Sequence, residues 1–178
     1  YKTLQYANLE PVSLENELNS TGRFITEFFK FIREPSLIVN FGFLGSSMYV
    51  VNPPFPYFQL TRTSRIGFDI ILRDLKLNSN LNDQKAYEAL KTIGMSSNGS
   101  VNVYSIIYPV LNELFSEMER TILLTQEKYH VNIRNVYLMN YDHSIALLSE
   151  TIQKRLSLPT QSFPLSSILT PNTITQTF

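Results

Sequence analysis

The chain has 178 residues, of which 43% are hydrophobic, with fifteen basic and fifteen acidic side chains and no cysteine. That is enough apolar material for one substantial core, and the balanced charge leaves no net field to hold nucleic acid or an anionic membrane surface. Without cysteine there are no disulfides, thiolate zinc sites or thiol chemistry, which fits a cytosolic setting. No apolar run approaches the roughly 20 residues of a membrane-spanning helix, and no basic-then-apolar leader is present. The sequence opens at Tyr1 in mid-pattern and is expected to be a piece of a larger protein.

Tyr1 to Asn8 reads as the tail of a helix and Leu9 to Leu14 as an extended connection, because Pro11 disfavours helix at Glu10. Ser13 can cap a helix from Glu15 to about Arg33, with Leu18, Ile25, Phe28, Phe29 and Ile32 at helical spacings. Its aromatic cluster, Phe24 to Ile32, suits an interfacial membrane helix, but both signs of charge on the polar face favour a helix packed on a sheet. Three strands are expected next. Ser36 to Val39 is a short apolar run, Asn40 to Ser47 a glycine and serine turn, Met48 to Val51 a second strand, and Phe55 to Arg62 a third beyond Asn52-Pro53-Pro54. The Asn52 to Tyr57 segment, with its prolines and aromatics, reads either as a protein contact or as a plain turn.

A helix is expected from Ile66 to Leu75, with Ile66, Ile70, Leu72 and Leu75 toward the core. Asn82 or Asp83 caps the next, from Gln84 to about Thr92, and Gly94 ends it. Residues 96–100 read as an exposed loop. From about Ser105 to His130, Ile107, Leu111, Leu114, Met118, Ile122 and Thr125 recur at three- and four-residue steps, which predicts one long helix with a buried stripe. Pro109 belongs to its first turn or marks a kink. Ile133 to Met139 reads as a strand, Ser144 to Leu156 as a helix, Thr160 to Leu165 as a last short strand, and Thr170 to Phe178 as a loose tail.

Several reactive constellations fail on spacing. His130 and His143 have no partner at metal-ligand spacing, so no metal site is expected. Tyr141-Asp142-His143-Ser144 lacks a glycine elbow, and a helix cap is its simpler role. Glu113 and Glu117 share one helix face, as an exposed polar stripe does. The first strand carries no cluster of acidic residues, which argues against a metal-dependent nuclease. Asn19-Ser20-Thr21 and Asn98-Gly99-Ser100 match glycosylation sequons that a cytosolic protein does not use.

The order helix, three-strand meander, helices, long helix, strand, helix, strand resembles the second half of the actin-like ATPase fold, whose core is similar to RNase H. Particular phrases resemble the type IV pilus assembly protein PilM family and its relative FtsA. They are Leu9-Glu10-Pro11-Val12; Asn40-Phe41-Gly42 with Ser46-Ser47; Arg62 to Gly67; Glu88-Ala89-Leu90-Lys91; and Leu111 to Ile122 running on to Ile133-Arg134-Asn135-Val136-Tyr137-Leu138. The resemblance covers nearly the whole chain and rests on order and spacing. It implies an α/β fold: an antiparallel three-strand meander continued by parallel strands and flanked by helices. Residues 1–33 would then connect from a preceding subdomain, 34–170 would form the actin-like domain, and 171–178 the tail.

The resemblance also assigns a nucleotide site. Gly42, Gly45, Ser46 and Ser47 stand at its phosphate turn, and Glu88 and Lys91 where ribose and base are contacted; an exposed i,i+3 pair explains the last two equally. Two departures weaken it. Asn40 stands where the family has the Asp of Asp-x-Gly, and an amide offers a cation no charge. Asn140-Tyr141-Asp142-His143 replaces the Gly-Gly against which adenosine lies, and a tyrosine fills that space. The implied protein is a non-catalytic scaffold with a vestigial nucleotide site and no required cofactor, ATP and Mg²⁺ being the alternative. Its implied place is cytoplasmic, peripheral to a bacterial inner membrane, in a type IV pilus or type II secretion assembly. Its partners would be the cytoplasmic tail of a membrane-anchored assembly protein, the assembly ATPase, or a second copy. The competing readings are an active ATPase and an FtsA-like polymer subunit; the latter needs a C-terminal amphipathic helix, which Thr170 to Phe178 is not.

Overall fold

A computed structural model describes residues 6, 16, 20–22, 24–25, 32–54, 58–97 and 102–163. Most of the helix expected from Glu15 to Arg33, the tip of the 52–57 segment, residues 98–100 and the C-terminal tail lie outside the described residues.

Alternating apolar residues build a five-stranded mixed sheet. Its strands are β1 (Ser36–Phe41), β2 (Ser46–Val51), β3 (Phe58–Ser64), β4 (Asn135–Asn140) and β5 (Thr160–Ser162), in the order β3-β2-β1-β4-β5. The first three form the expected antiparallel meander, and β1, β4 and β5 run parallel. Register places Leu37 opposite Val50 and Val136, and Val39 opposite Met48 and Leu138, so one face collects these side chains. The period of two sends Ile38, Tyr49 and Tyr137 to the other face.

Among the described residues, four α-helices follow the meander: α1 (Phe68–Ser79), α2 (Asp83–Thr92), α3 (Val103–Tyr129) and α4 (Leu148–Leu156), with a short 3₁₀ helix, η1 (Tyr141–Ser144), between β4 and α4. They pack with the Leu37 face of the sheet into the main core, to which α3 contributes Ile107, Leu111, Leu114 and Met118. The Ile38 face has its own cluster, closed by Ile25, Ile32 and Phe163. Ile25 is helical and buried, in agreement with a helix packed on the sheet, but Ile32 and Arg33, expected within that helix, are not helical, and Ile32 is buried in the connection leading to β1. β1 is therefore apolar on both sides, which explains its unbroken Leu37-Ile38-Val39 run.

The boundaries differ from expectation in instructive places. Ile66 and Gly67 are not helical; α1 starts at Phe68 and buries Phe68, Ile71 and Leu75, leaving Ile70 and Leu72 half-buried. The helix expected from Ser144 begins at Leu148, because residues 141–144 wind into η1. In α3, Thr121 rather than Ile122 joins the buried stripe, alongside Thr125. Both hydroxyls donate back within the helix, Thr121 to Glu117 O and Thr125 to Thr121 O, each at 2.7 Å, so neither is left unpaired in the core. Asn82 caps α2 by accepting from Lys85 N at 2.9 Å, and Asn102 caps α3 by accepting from Ser105 N at 3.3 Å.

Candidate functional site

Gly42, Gly45, Ser46 and Ser47 follow the C-terminal end of β1 and Asn140-Tyr141 the end of β4, where α/β sheets commonly carry ligands, while Glu88 and Lys91 lie on α2. The turn between β1 and β2 closes on itself, with Gly42 N donating to Gly45 O at 3.0 Å. It then docks on the start of α1. Phe68 N donates to Gly42 O at 3.0 Å and Asp69 N to Phe43 O at 2.9 Å, so the turn's own carbonyls take the donors of this helix N-terminus. The approach is close enough to need a glycine on the helix side. A Cβ at Gly67 would stand 2.4 Å from both Gly45 N and Phe43 O. Ser46 is buried, and its hydroxyl donates to Ile66 O at 2.5 Å. An open depression of about 440 Å³ lies beside the turn, its walls including Asn40, Ser47 and Thr63.

Asn40 is the next-to-last residue of β1 and lies one register position from Asn140, the last residue of the parallel neighbour β4, which stands opposite Phe41. Asn140 Nδ2 donates to Asn40 Oδ1, joining side chains 100 residues apart in sequence. Asn140 has φ 72° and ψ −106°, a conformation that non-glycine residues seldom take and that lies outside the left-handed helical region asparagine tolerates.

Tyr141 then turns inward. Its ring stacks on Phe68 with centroids 4.8 Å apart and planes 14° from parallel, and meets Phe43 of the turn at 5.8 Å. Phe68 in turn takes the ring of Tyr87, from α2, edge-on at 5.9 Å. An aromatic chain, Phe43–Tyr141–Phe68–Tyr87, therefore connects the glycine turn, the residues after β4, the start of α1 and the helix that carries Glu88 and Lys91. Glu88 and Lys91 themselves are exposed. Glu88 accepts a bond from Gln84 Nε2 at 3.2 Å.

The segment after Tyr141 is held by polar contacts. The buried Asp142 accepts from Ser162 Oγ of β5 at 2.5 Å, and Ser144 Oγ lies 3.4 Å from the Tyr87 hydroxyl. His143 is exposed, with Nε2 at 3.6 Å from Asp142 Oδ2. Serine, aspartate and histidine do meet here, but the serine bonds the aspartate and not the histidine, so no nucleophile is activated. Asp142 ties η1 to β5; the helix-cap role expected for this segment is not the one it plays. Phe68 and Tyr87 are the site residues that sequence reasoning missed. Their signal, a ring at the start of α1 that stacks on Tyr141 and a ring within α2 that meets Phe68, appears only in three dimensions.

Elsewhere, a groove of about 350 Å³ between α3 and α4 is walled by Ile122, Leu123 and Leu156 and rimmed by Glu119 and Arg155. Arg155 Nε donates to Glu119 Oε1 at 2.7 Å, a pairing that raises the guanidinium pKa above its ordinary value. Among the described residues no group of three or more His, Asp or Glu side chains is placed to hold a metal ion, and no helix is long and apolar enough to cross a membrane.

No protein-family model and no curated protein matches the sequence. Solved structures do. The PilM-PilN type IV pilus biogenesis complex contains a chain that matches with a TM-score of 0.77 at 18% identity, over 99% of this chain and 49% of that one. The ethanolamine utilization protein EutJ from Carboxydothermus hydrogenoformans matches with a TM-score of 0.63 at 15% identity, over 90% and 54% of the two chains. MreB 5 of Spiroplasma citri, bound to AMPPNP, gives 0.57 at 12% identity over 90% and 57%. The present chain spans about half the length of these proteins. At such identities the likeness is one of architecture, and it agrees with the mixed sheet and its helices: the chain has the actin-like fold.

Proposed function

We propose that this chain is part of a non-catalytic scaffold in a type IV pilus or type II secretion assembly at the inner membrane. Its nucleotide site, Gly42, Gly45, Ser46, Ser47, Glu88 and Lys91, would be vestigial. The observation that carries the proposal is Tyr141, stacked on Phe68 between the glycine turn and α2. In the sequence, its position corresponds to the family's Gly-Gly, where adenosine needs bare backbone. Three further features support the reading: the Ser46 hydroxyl and the Gly42 N–H are used inside the fold, Asn40 offers an amide where a carboxylate would organise Mg²⁺, and the PilM-PilN structure has the highest similarity of the three compared.

The partner would be the cytoplasmic tail of a membrane-anchored assembly protein, with the assembly ATPase or a second copy of the chain as further contacts. Capture from membrane extract with the full-length protein, read by mass spectrometry, tests this. Recovery of a membrane-anchored pilus or secretion assembly protein is expected; recovery of cell-division proteins alone would contradict it.

An active ATPase is the second reading. It is favoured by the intact glycine turn and the open depression beside Asn40 and Ser47. Mg-ATP binding that is lost when Lys91 is changed to alanine would support it.

A further inference from the structure

We propose that Asn40 is a positioning residue, and that its amide pair with Asn140 is a lock which aims Tyr141 onto Phe68 and keeps the site shut. The inference rests on the vestigial-site reading above and assigns the placement of Tyr141 to particular side chains. It begins with the backbone. At φ 72° and ψ −106°, Asn140 occupies a conformation that persists for a non-glycine residue only where its surroundings hold it. What holds it is the bond from its own Nδ2 to Asn40 Oδ1, on the neighbouring strand. This conformation reverses the chain directly after β4, so that Tyr141 opens η1 with its ring against Phe68 instead of continuing along the strand.

The other side of Tyr141 is fastened as well. Asp142 accepts from Ser162 of β5, and Ser144 lies within hydrogen-bond distance of the Tyr87 hydroxyl on α2. Residues 140, 142 and 144 are thus tied to three different elements, β1, β5 and α2, and the tyrosine sits inside that frame. Packing alone does not require such ties. A ring that merely filled a gap would hold its place through van der Waals contact with Phe43 and Phe68. Asn40 has a clear chemical role in this arrangement: it supplies an acceptor oxygen, which aspartate would also supply and alanine would not.

The test is the environment of the Tyr141 ring in the full-length protein, followed by NMR with tyrosine-selective labelling and assigned from the spectrum of Tyr141→Phe. Stacking on the face of Phe68 shifts the Tyr141 ring resonances upfield. Asn40→Ala and Asn40→Leu both remove the acceptor while leaving residue 140 unchanged, and both are expected to lose that shift while far-UV circular dichroism stays unchanged. Asn40→Asp keeps the acceptor and is expected to retain it. If Asn40→Ala unfolds the chain, Asn40→Leu carries the test. A retained upfield shift in either folded variant that lacks the acceptor, or its loss in Asn40→Asp, overturns the proposal. Mg-ATP binding by the full-length wild-type protein is a separate measurement: it would contradict the scaffold reading and leave the outcome for the amide pair standing.

Discussion

At the scale of single residues, a glycine can be required by its backbone conformation or by the closeness of its neighbours. Gly67 belongs to the second kind. Its backbone is extended at φ −129°, which any residue adopts, yet a Cβ there would meet backbone atoms of the turn at 2.4 Å. Gly67→Ala should cost about 1–3 kcal/mol, as overpacking against an immovable neighbour does, and chemical denaturation should show it as a lower midpoint with an unchanged slope. Gly94 combines both constraints. It has φ +48°, and its added Cβ would lie 2.4 Å from Ala146 O, where Met95 N and Ala146 N tie the end of α2 to the loop before α4. Gly94→Ala should therefore be at least as destabilising as Gly67→Ala in the same experiment. Gly94 was legible in sequence as a helix terminator. Gly67 was not, because nothing local reveals that a turn 22 residues earlier will press against it.

At the scale of elements, α3 carries the clearest contrast. Leu111 is fully buried against the sheet, whereas Leu123, on the same helix, is 56% exposed. Leu111→Ala should cost about 2–5 kcal/mol and Leu123→Ala no more than about 0.5 kcal/mol, measured by urea denaturation. The stripe was readable because a 27-residue helix repeats its period many times. In the 12-residue α1 the period is sampled too few times, and Ile66 drew the expected start two residues too early. The break between η1 and α4 was hidden for a different reason. Asp142 and Ser144 look like helix caps by residue type, but their hydrogen bonds run to β5 and α2, a choice made by tertiary contact.

At the scale of the whole molecule, a meander continued by parallel strands was expected, and β4 and β5 do run parallel to β1; the strand order was not legible, because β4 lies beside β1 and not beside its sequence predecessor β3. The resemblance to the PilM family also located the ends of β1 and β4 as the place to look. The way that place is filled was legible only in part: Tyr141 stood out against the expected glycines, while its partner Phe68 and the pairing of Asn40 with Asn140 depend on residues far apart in the chain. The resulting picture is an actin-like half whose glycine turn supports the meander and the start of α1, with aromatic rings where a nucleotide base would need room. The most direct test is isothermal titration of the full-length wild-type protein with Mg-ATP. The account predicts no heat of binding, with thermal unfolding unmoved by the nucleotide; saturable binding that disappears in Lys91→Ala would contradict it.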